Sequence, residues 1–312
     1  MHVALRLADG WQRRADPAWL AGWHPQAFDL GDGTTDVVVM GGGRPLLLLP
    51  PLPGYKEAWI AAACRLARRF RVITFDQRAH FAGPPSWGAL IADLTRVADA
   101  FAPGAAAVAG HSLGGALAQR WALARPERVA ALVLSSSFAR VGATRGQWRK
   151  RYLEQSLVLA SQRWLPESLA APLARRLAAR RAWVYDPQCD EQILAFVRHG
   201  IRGVPLGVAR QCVRLAFAHD SRVELPRIAC PTLLVVGERE TRWAREATEE
   251  LARLIPGAEA CVSPGVAHLH PLSAAPWLAE TVGGWLDCVV GPGPRDAPGS
   301  AAGSPVGMDR SG

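Results

Sequence analysis

Several things are scarce in this chain, and each scarcity removes a class of protein. No stretch of about 18 or more uncharged apolar residues exists, so nothing reads as a membrane-spanning helix. The segment from Met1 to Trp11 carries Arg6 and Asp9 and lacks an apolar run of roughly 7–15 residues, so no secretory leader is expected. Cysteines number six in 312 residues (Cys64, Cys189, Cys212, Cys230, Cys261 and Cys288), and no two form a C-x-x-C pair. They are expected to be reduced, mostly buried small side chains of a cytoplasmic protein, not a disulfide or zinc framework. Neither a cofactor-binding fingerprint nor a metal-ligand spacing is present, so no cofactor and no metal are expected. No repeat recurs along the chain. Lysine is nearly missing: only Lys56 and Lys150 stand beside a large excess of arginine, and no recognition motif accompanies that charge, which argues against nucleic acid as a partner. What remains, 49% hydrophobic and 20% charged, is enough to bury a large core as one domain with an insertion.

Within that frame the segment Gly110-His111-Ser112-Leu113-Gly114 is the most informative. Upstream, Ala105-Ala106-Ala107-Val108-Ala109 follows Pro103-Gly104 and is long enough for one buried strand. Downstream, the helix formers Gly115 to Ala124 stop before Pro126. A G-x-S-x-G between strand and helix is the setting of a nucleophile elbow, a strained turn with no room for side chains beside the serine. The helix that starts there aims its free N–H groups toward Ser112.

Elsewhere, apolar runs alternate with helical stretches at 46–52, 57–69, 71–76, 87–101, 105–111, 115–124 and 129–137, which implies a parallel sheet covered by helices on both faces. Between about 141 and 218 strand signals vanish in favour of Arg-, Leu- and Ala-rich helices broken at Pro166, Pro172, Pro187 and Pro205. Strand signals return at 232–236 and 258–263, with Pro226 and Pro231 flanking the re-entry. The expected organisation is a core of 1–140 and 219–290, a helical insertion at 141–218 and a Gly/Pro/Ser-rich disordered tail at 291–312.

These segments together resemble the α/β-hydrolase superfamily over roughly residues 25–290. Leu46 to Gly54 is similar to the third strand and its loop, and Val72 to Arg78 to the next strand with its Asp-x-Arg turn. Thr232 to Glu240 is similar to the strand that delivers an acid, and Gly265-Val266-Ala267-His268 to the loop that delivers a histidine. Serine, acid and histidine follow in the order this fold uses. The resemblance implies an α/β-hydrolase core, a cap over the site at 141–218, and a triad of nucleophile Ser112, base His268 and acid Glu240. Two departures accompany it. Where the family most often has aspartate three positions after the glycine, here Gly237, this chain has Glu240; Glu238 is the rival acid, and His270 the rival base. Where the family usually has His-Gly after the third strand, this chain has Pro50-Pro51. The oxyanion donors implied are therefore the backbone N–H groups of Leu52 and Leu113.

The expected substrate is a small-molecule ester or thioester with a small to medium apolar acyl group, cleaved through an acyl-enzyme. Between 141 and 220, thirteen basic side chains face six acidic ones, so a cationic cap attracting anionic substrates is one reading and plain arginine richness on a solvated face the other. Carbon–carbon bond hydrolysis, a lyase or haloperoxidase-type reaction, and a non-catalytic binding role on the same scaffold stay open, because fold does not fix function. The Asp-nucleophile branches are excluded by the serine. Oligomeric state is not legible.

Overall fold

The computed structural model describes residues 10–78, 85–141, 191–203 and 205–291, with isolated positions at 153, 164–166, 169 and 172. The strands are β1 (Gln26–Asp29), β2 (Thr34–Met40), β3 (Pro45–Leu49), β4 (Arg71–Phe75), β5 (Ala106–His111), β6 (Val129–Ser135), β7 (Thr232–Gly237) and β8 (Glu259–Ser263). They form one sheet in the order β1-β2-β4-β3-β5-β6-β7-β8. From β4 through β8 every neighbour pair is parallel, whereas β1 and β2 are antiparallel. The helices are α1 (Pro17–Leu20), α2 (Ile60–Leu66), α3 (Trp87–Phe101), α4 (Leu113–Ala124), α5 (Glu191–Gly203), α6 (Leu206–Ala218), α7 (Arg242–Leu254), α8 (His270–Ser273) and α9 (Ala275–Val290).

The central strands are apolar on both faces because both faces are covered. In β3, Leu46 and Leu48 join one buried cluster with Ile60 and Leu66 of α2 and Leu278, Val282 and Leu286 of α9. Leu47 and Leu49 point the other way, into a cluster with Leu90, Leu94 and Val97 of α3, Leu117 and Trp121 of α4 and Leu251 of α7. The pleat thus splits a run of four leucines between two cores. The strand and helix expectations hold from residue 45 to 137 with shifted ends. The stretch 57–69 resolves into a 3₁₀ turn at Lys56–Trp59 followed by α2. The antiparallel β1 and β2 were not expected.

Within the expected insertion, α5 and α6 are helical, and Pro205 sits at the N-cap of α6 as the break at that position implied. Both pack on the core. Phe196 of α5 meets Trp11 and Trp19 edge-on, with ring centroids 6.1 and 5.9 Å apart. Cys212 and Ala216 of α6 join an apolar cluster with Leu113, Ala116 and Phe138. The chain leaves and re-enters the core through a neck in which Arg140 and Asp220 form an antiparallel bridge. Arg175, Arg176, Arg180 and Arg181, Trp148, Trp183, Cys189 and the tail after Gly291 lie outside the described residues. One composition-based expectation needs correction: of the described cysteines, all free, only Cys212 is buried, while Cys64, Cys230 and Cys261 are half-buried and Cys288 is exposed. No helix among the described residues is long and apolar enough to cross a membrane.

Candidate active site

β5 ends at His111 and α4 begins at Leu113, which leaves Ser112 alone on the turn with φ 53° and ψ −114°. A non-glycine residue with positive φ outside the ordinary left-handed region is strained by about 1–3 kcal/mol. The surroundings hold it there: Ser112 N–H donates to Ser135 O at 2.8 Å, and its carbonyl accepts from Gly115 N at 3.0 Å. The two motif glycines are required by space. A Cβ on Gly110 would overlap the Gly114 carbonyl, and one on Gly114 would overlap the carbonyls of Leu49 and Pro50. The second contact also shows that the start of α4 lies directly against the loop after β3.

That loop is fastened at several points. Trp59 Nε1 donates to Leu49 O at 2.9 Å, Gln77 Nε2 to Pro50 O at 3.2 Å, and Gln77 N–H to Gly54 O at 2.8 Å. Lys56 N–H donates to Asp76 Oδ1 at 2.8 Å, with Lys56 Nζ on Asp76 Oδ2 at 2.7 Å and on Glu57 Oε1 at 2.8 Å. The side chain of Leu52, one expected oxyanion donor, packs against the cluster that contains Leu113, the other.

Glu240 and His268 meet directly. Glu240 Oε1 lies 2.8 Å from His268 Nδ1 and also accepts the Ser136 hydroxyl at 2.6 Å. Burial works against the ionised carboxyl of Glu240, but the His268 charge and the two hydrogen bonds outweigh it and hold the acid below its ordinary value. Burial likewise works against the imidazolium of His268, and the adjacent carboxylate reverses this, leaving its pKa above the usual histidine value. The rival acid does something else: Glu238 Oε2 accepts the N–H of Gly265 at 2.7 Å, and Glu238 N–H and Arg239 N–H donate to Ser263 O and Val266 O at 2.9 and 2.8 Å. Glu238 therefore ties the acid loop to the histidine loop and leaves the imidazole to Glu240.

The rival base is also placed. His270 is buried behind the site with Nε2 2.6 Å from Ser135 Oγ, and burial pushes its pKa down to about 4. His111, inside the elbow motif, puts Nδ1 2.9 Å from the same Ser135 hydroxyl, and its ring centroid is 4.8 Å from that of His268. Burial, followed by the neighbouring imidazoles, holds His111 well below the ordinary value. Three histidines thus cluster, and one is tuned upward. Ser112 Oγ forms no hydrogen bond among the described residues; the acid meets the histidine directly, and His268 meets the elbow through the ring of His111, the residue before Ser112.

Sequence reading missed Ser135-Ser136-Ser137 at the end of β6. Ser135 serves His111 and His270, Ser136 serves Glu240, and Ser137 Oγ donates to Ser112 O at 3.1 Å. The signal was there: three hydroxyls in a row closing a buried parallel strand lie at the end of the sheet where α/β sites are built. No cluster of three or more His, Cys, Asp or Glu side chains suited to a metal occurs among the described residues.

Comparison with known proteins bears on the family and the fold. A sequence profile described as alpha/beta hydrolase fold matches residues 44–274. The provisionally named carbamate hydrolase RutD of Azorhizobium caulinodans is 30% identical over 246 residues, covering 73% of this chain and 85% of that protein. The pimeloyl-[acyl-carrier protein] methyl ester esterase of Nitrosomonas europaea is 28% identical over 239 residues, 75% of this chain and 92% of that one. In fold, a thermophilic esterase from Thermogutta terrifontis superposes with a TM-score of 0.67 at 24% identity, covering 85% of this chain and 99% of its own.

Proposed function

The chain belongs to the α/β-hydrolase fold family and is a hydrolase, and on that premise we propose that it cleaves a small-molecule carboxylic ester or thioester through Ser112, His268 and Glu240. The observation that carries this reading is the Glu240 carboxylate on His268 Nδ1 at 2.8 Å beside a strained serine elbow. With Nδ1–H committed to the acid, Nε2 is the nitrogen free to take a proton. Ser112 Oγ attacks the acyl carbon as His268 Nε2 removes its proton; the imidazolium, stabilised by Glu240, then gives that proton to the departing alcohol or thiol. Water, deprotonated in turn by His268, releases the acid and frees Ser112. The developing oxyanion would be met by the N–H groups of Leu52 and Leu113.

The relatives named as an esterase and a lipase favour an ester over a carbon–carbon bond. Apolar Leu52, Leu113, Phe138, Val141, Val208 and Trp243 share one cluster beside the elbow, which suits an apolar acyl chain. Segment 141–218 serves as a cap in this reading, in a cytoplasmic enzyme that needs no cofactor. The test is labelling by a fluorophosphonate followed by a panel of p-nitrophenyl esters and acyl-CoAs. Ser112→Ala should lose both labelling and turnover while keeping its melting temperature; a variant that still turns over at the wild-type rate ends the proposal.

A further inference from the structure

A second buried network touches Ser112 through its backbone carbonyl. Its first link is the Ser137 hydroxyl on the Ser112 carbonyl. The same Ser137 oxygen accepts from Gln119 Nε2 at 3.2 Å, and Nε2 sends its other proton to Phe138 O at 3.1 Å. At the far end of the amide, Gln119 Oε1 accepts the Ser221 hydroxyl at 2.8 Å and lies 3.3 Å from His219 Nε2. Arg120 Nε donates to His219 Nδ1 at 3.0 Å, so the imidazole proton sits on Nε2, which becomes a donor. Burial, then the Arg120 charge, push His219 down to about 3, so this ring is neutral and the proton assignment holds throughout.

Gln119 is fully buried; both its amide protons are used, and its oxygen accepts from Ser221 and shares the single His219 Nε2 proton with Ser221 Oγ, which lies 3.2 Å from that nitrogen. An apolar side chain of similar size would avoid the cost of burying an amide there, so a saturated glutamine marks a position where geometry matters. What it joins is specific. His219 and Ser221 belong to the returning strand of the neck, where Ser221 N–H also donates to Ala139 O at 3.0 Å. Of the donors on the Ser112 carbonyl among the described residues, Gly115 N and Ala116 N are part of α4 itself, and Ser137 comes from another element. A Cβ on Gly115 would overlap the Ser137 hydroxyl, so that glycine makes room for the link.

We propose that Gln119 is a positioning residue: it ties the neck at 138–141 and 219–221 to the carbonyl of Ser112, so that the seating of the neck sets the angle from which the serine attacks. The inference rests on Ser112 being the nucleophile. The carbonyl direction is fixed by ψ of Ser112, and the hydroxyl turns with the same backbone frame; a displacement of about 1 Å at an attacking atom can cost on the order of 100-fold.

The experiment compares Ser221→Ala, Ser221→Thr, Gln119→Met, Ser137→Ala and the Ser137→Ala/Ser221→Ala pair. The readouts are kcat and KM on a p-nitrophenyl ester, the second-order rate of fluorophosphonate labelling, and the melting temperature. Ser221→Ala, which touches neither Ser112 nor substrate, should lower kcat and the labelling rate about 3- to 10-fold with KM within about twofold, and Ser221→Thr should recover them. Gln119→Met should cost about 10- to 100-fold in the same two rates. The double variant should be no slower than Ser137→Ala alone, because the path is already cut. If Ser221→Ala moves only the melting temperature, or if the two serine effects add, the link is structural and the proposal fails. Should Gln119→Met not fold, the Ser221 pair decides alone. Labelling that persists in Ser112→Ala would instead strike the nucleophile assignment and leave these outcomes readable on their own.

Discussion

Two buried charged centres flank the elbow, and they are built on opposite principles. Lys56, Glu57 and Asp76, at the ends of β3 and β4, are 3%, 2% and 0% exposed and grip one another with no opening to solvent. Burial and the neighbouring Glu57 push Asp76 upward, against the pull of Lys56. Glu240 and His268, beyond β7 and β8, keep one partner 18% exposed and at the surface of the site. The first centre fixes the loop that carries Leu52 and has no reason to exchange a proton. The second holds a group displaced toward protonation yet within reach of solvent. A charge sealed on all sides is a fastener; one sealed on all sides but one is a reagent. The same contrast runs between His268 and His270, two residues apart, which the surroundings tune in opposite directions.

Variants on each side can break or sharpen this contrast. The largest effect belongs to the open centre: His268→Ala should cost on the order of 10⁴–10⁶ in kcat with little change in melting temperature, because members of a triad act as a unit. A loss under about tenfold in steady-state turnover would move the base elsewhere. Next, Glu240→Gln should lower kcat about 10²–10⁴-fold. It should also displace the acidic limb of kcat/KM to lower pH: the limb follows protonation of His268, whose pKa Glu240 raises and burial lowers, so removing the carboxylate leaves burial to act. A pH–rate profile whose limb stays in place would deny that Glu240 sets the charge on the imidazole, and Glu238→Gln is the companion variant expected to leave that limb where it is.

The sealed centre should answer in stability instead. Lys56→Met strands Asp76 and should cost about 3–5 kcal/mol at neutral pH, seen by chemical denaturation. The sign with pH follows from burial: an unpaired Asp76 has a folded pKa above its unfolded one, so the native state binds the extra proton. Part of the loss should therefore return on acidification. A variant equally destabilised at both pH values would mean that packing, not charge, holds the loop.

Where the fold was legible in sequence, burial on both faces made it so. Ala106–His111 and Thr232–Gly237 are buried at every position and read as strands without ambiguity. Gln26–Asp29 is short and largely exposed, so it has neither an apolar run nor a clean alternation to betray it, and its partner β2 was lost with it. At the site, the strand–serine–helix turn was legible from its glycine spacing, and the contact between Glu240 and His268 joins the two residues that the resemblance implied. Ser135, Ser136 and Ser137 were not, since a hydroxyl at a strand end looks the same whether it caps water or an acid. Gln119 was less visible still: in a helix rich in alanine and leucine only tertiary structure shows what an amide is for. The charge excess of 141–220 sits largely outside the described residues, and electrostatic steering stays a sequence-based expectation.

The dihedral pair at Ser112 carries one more consequence, for the history and engineering of this protein. Glycine is the residue that tolerates φ 53°, ψ −114° without steric penalty. Any search for greater heat resistance that is blind to turnover will therefore tend to favour Ser112→Gly, which relieves strain at the position proposed above to attack the substrate. On the reading proposed above, selection for turnover is what keeps a strained serine where glycine would sit more easily.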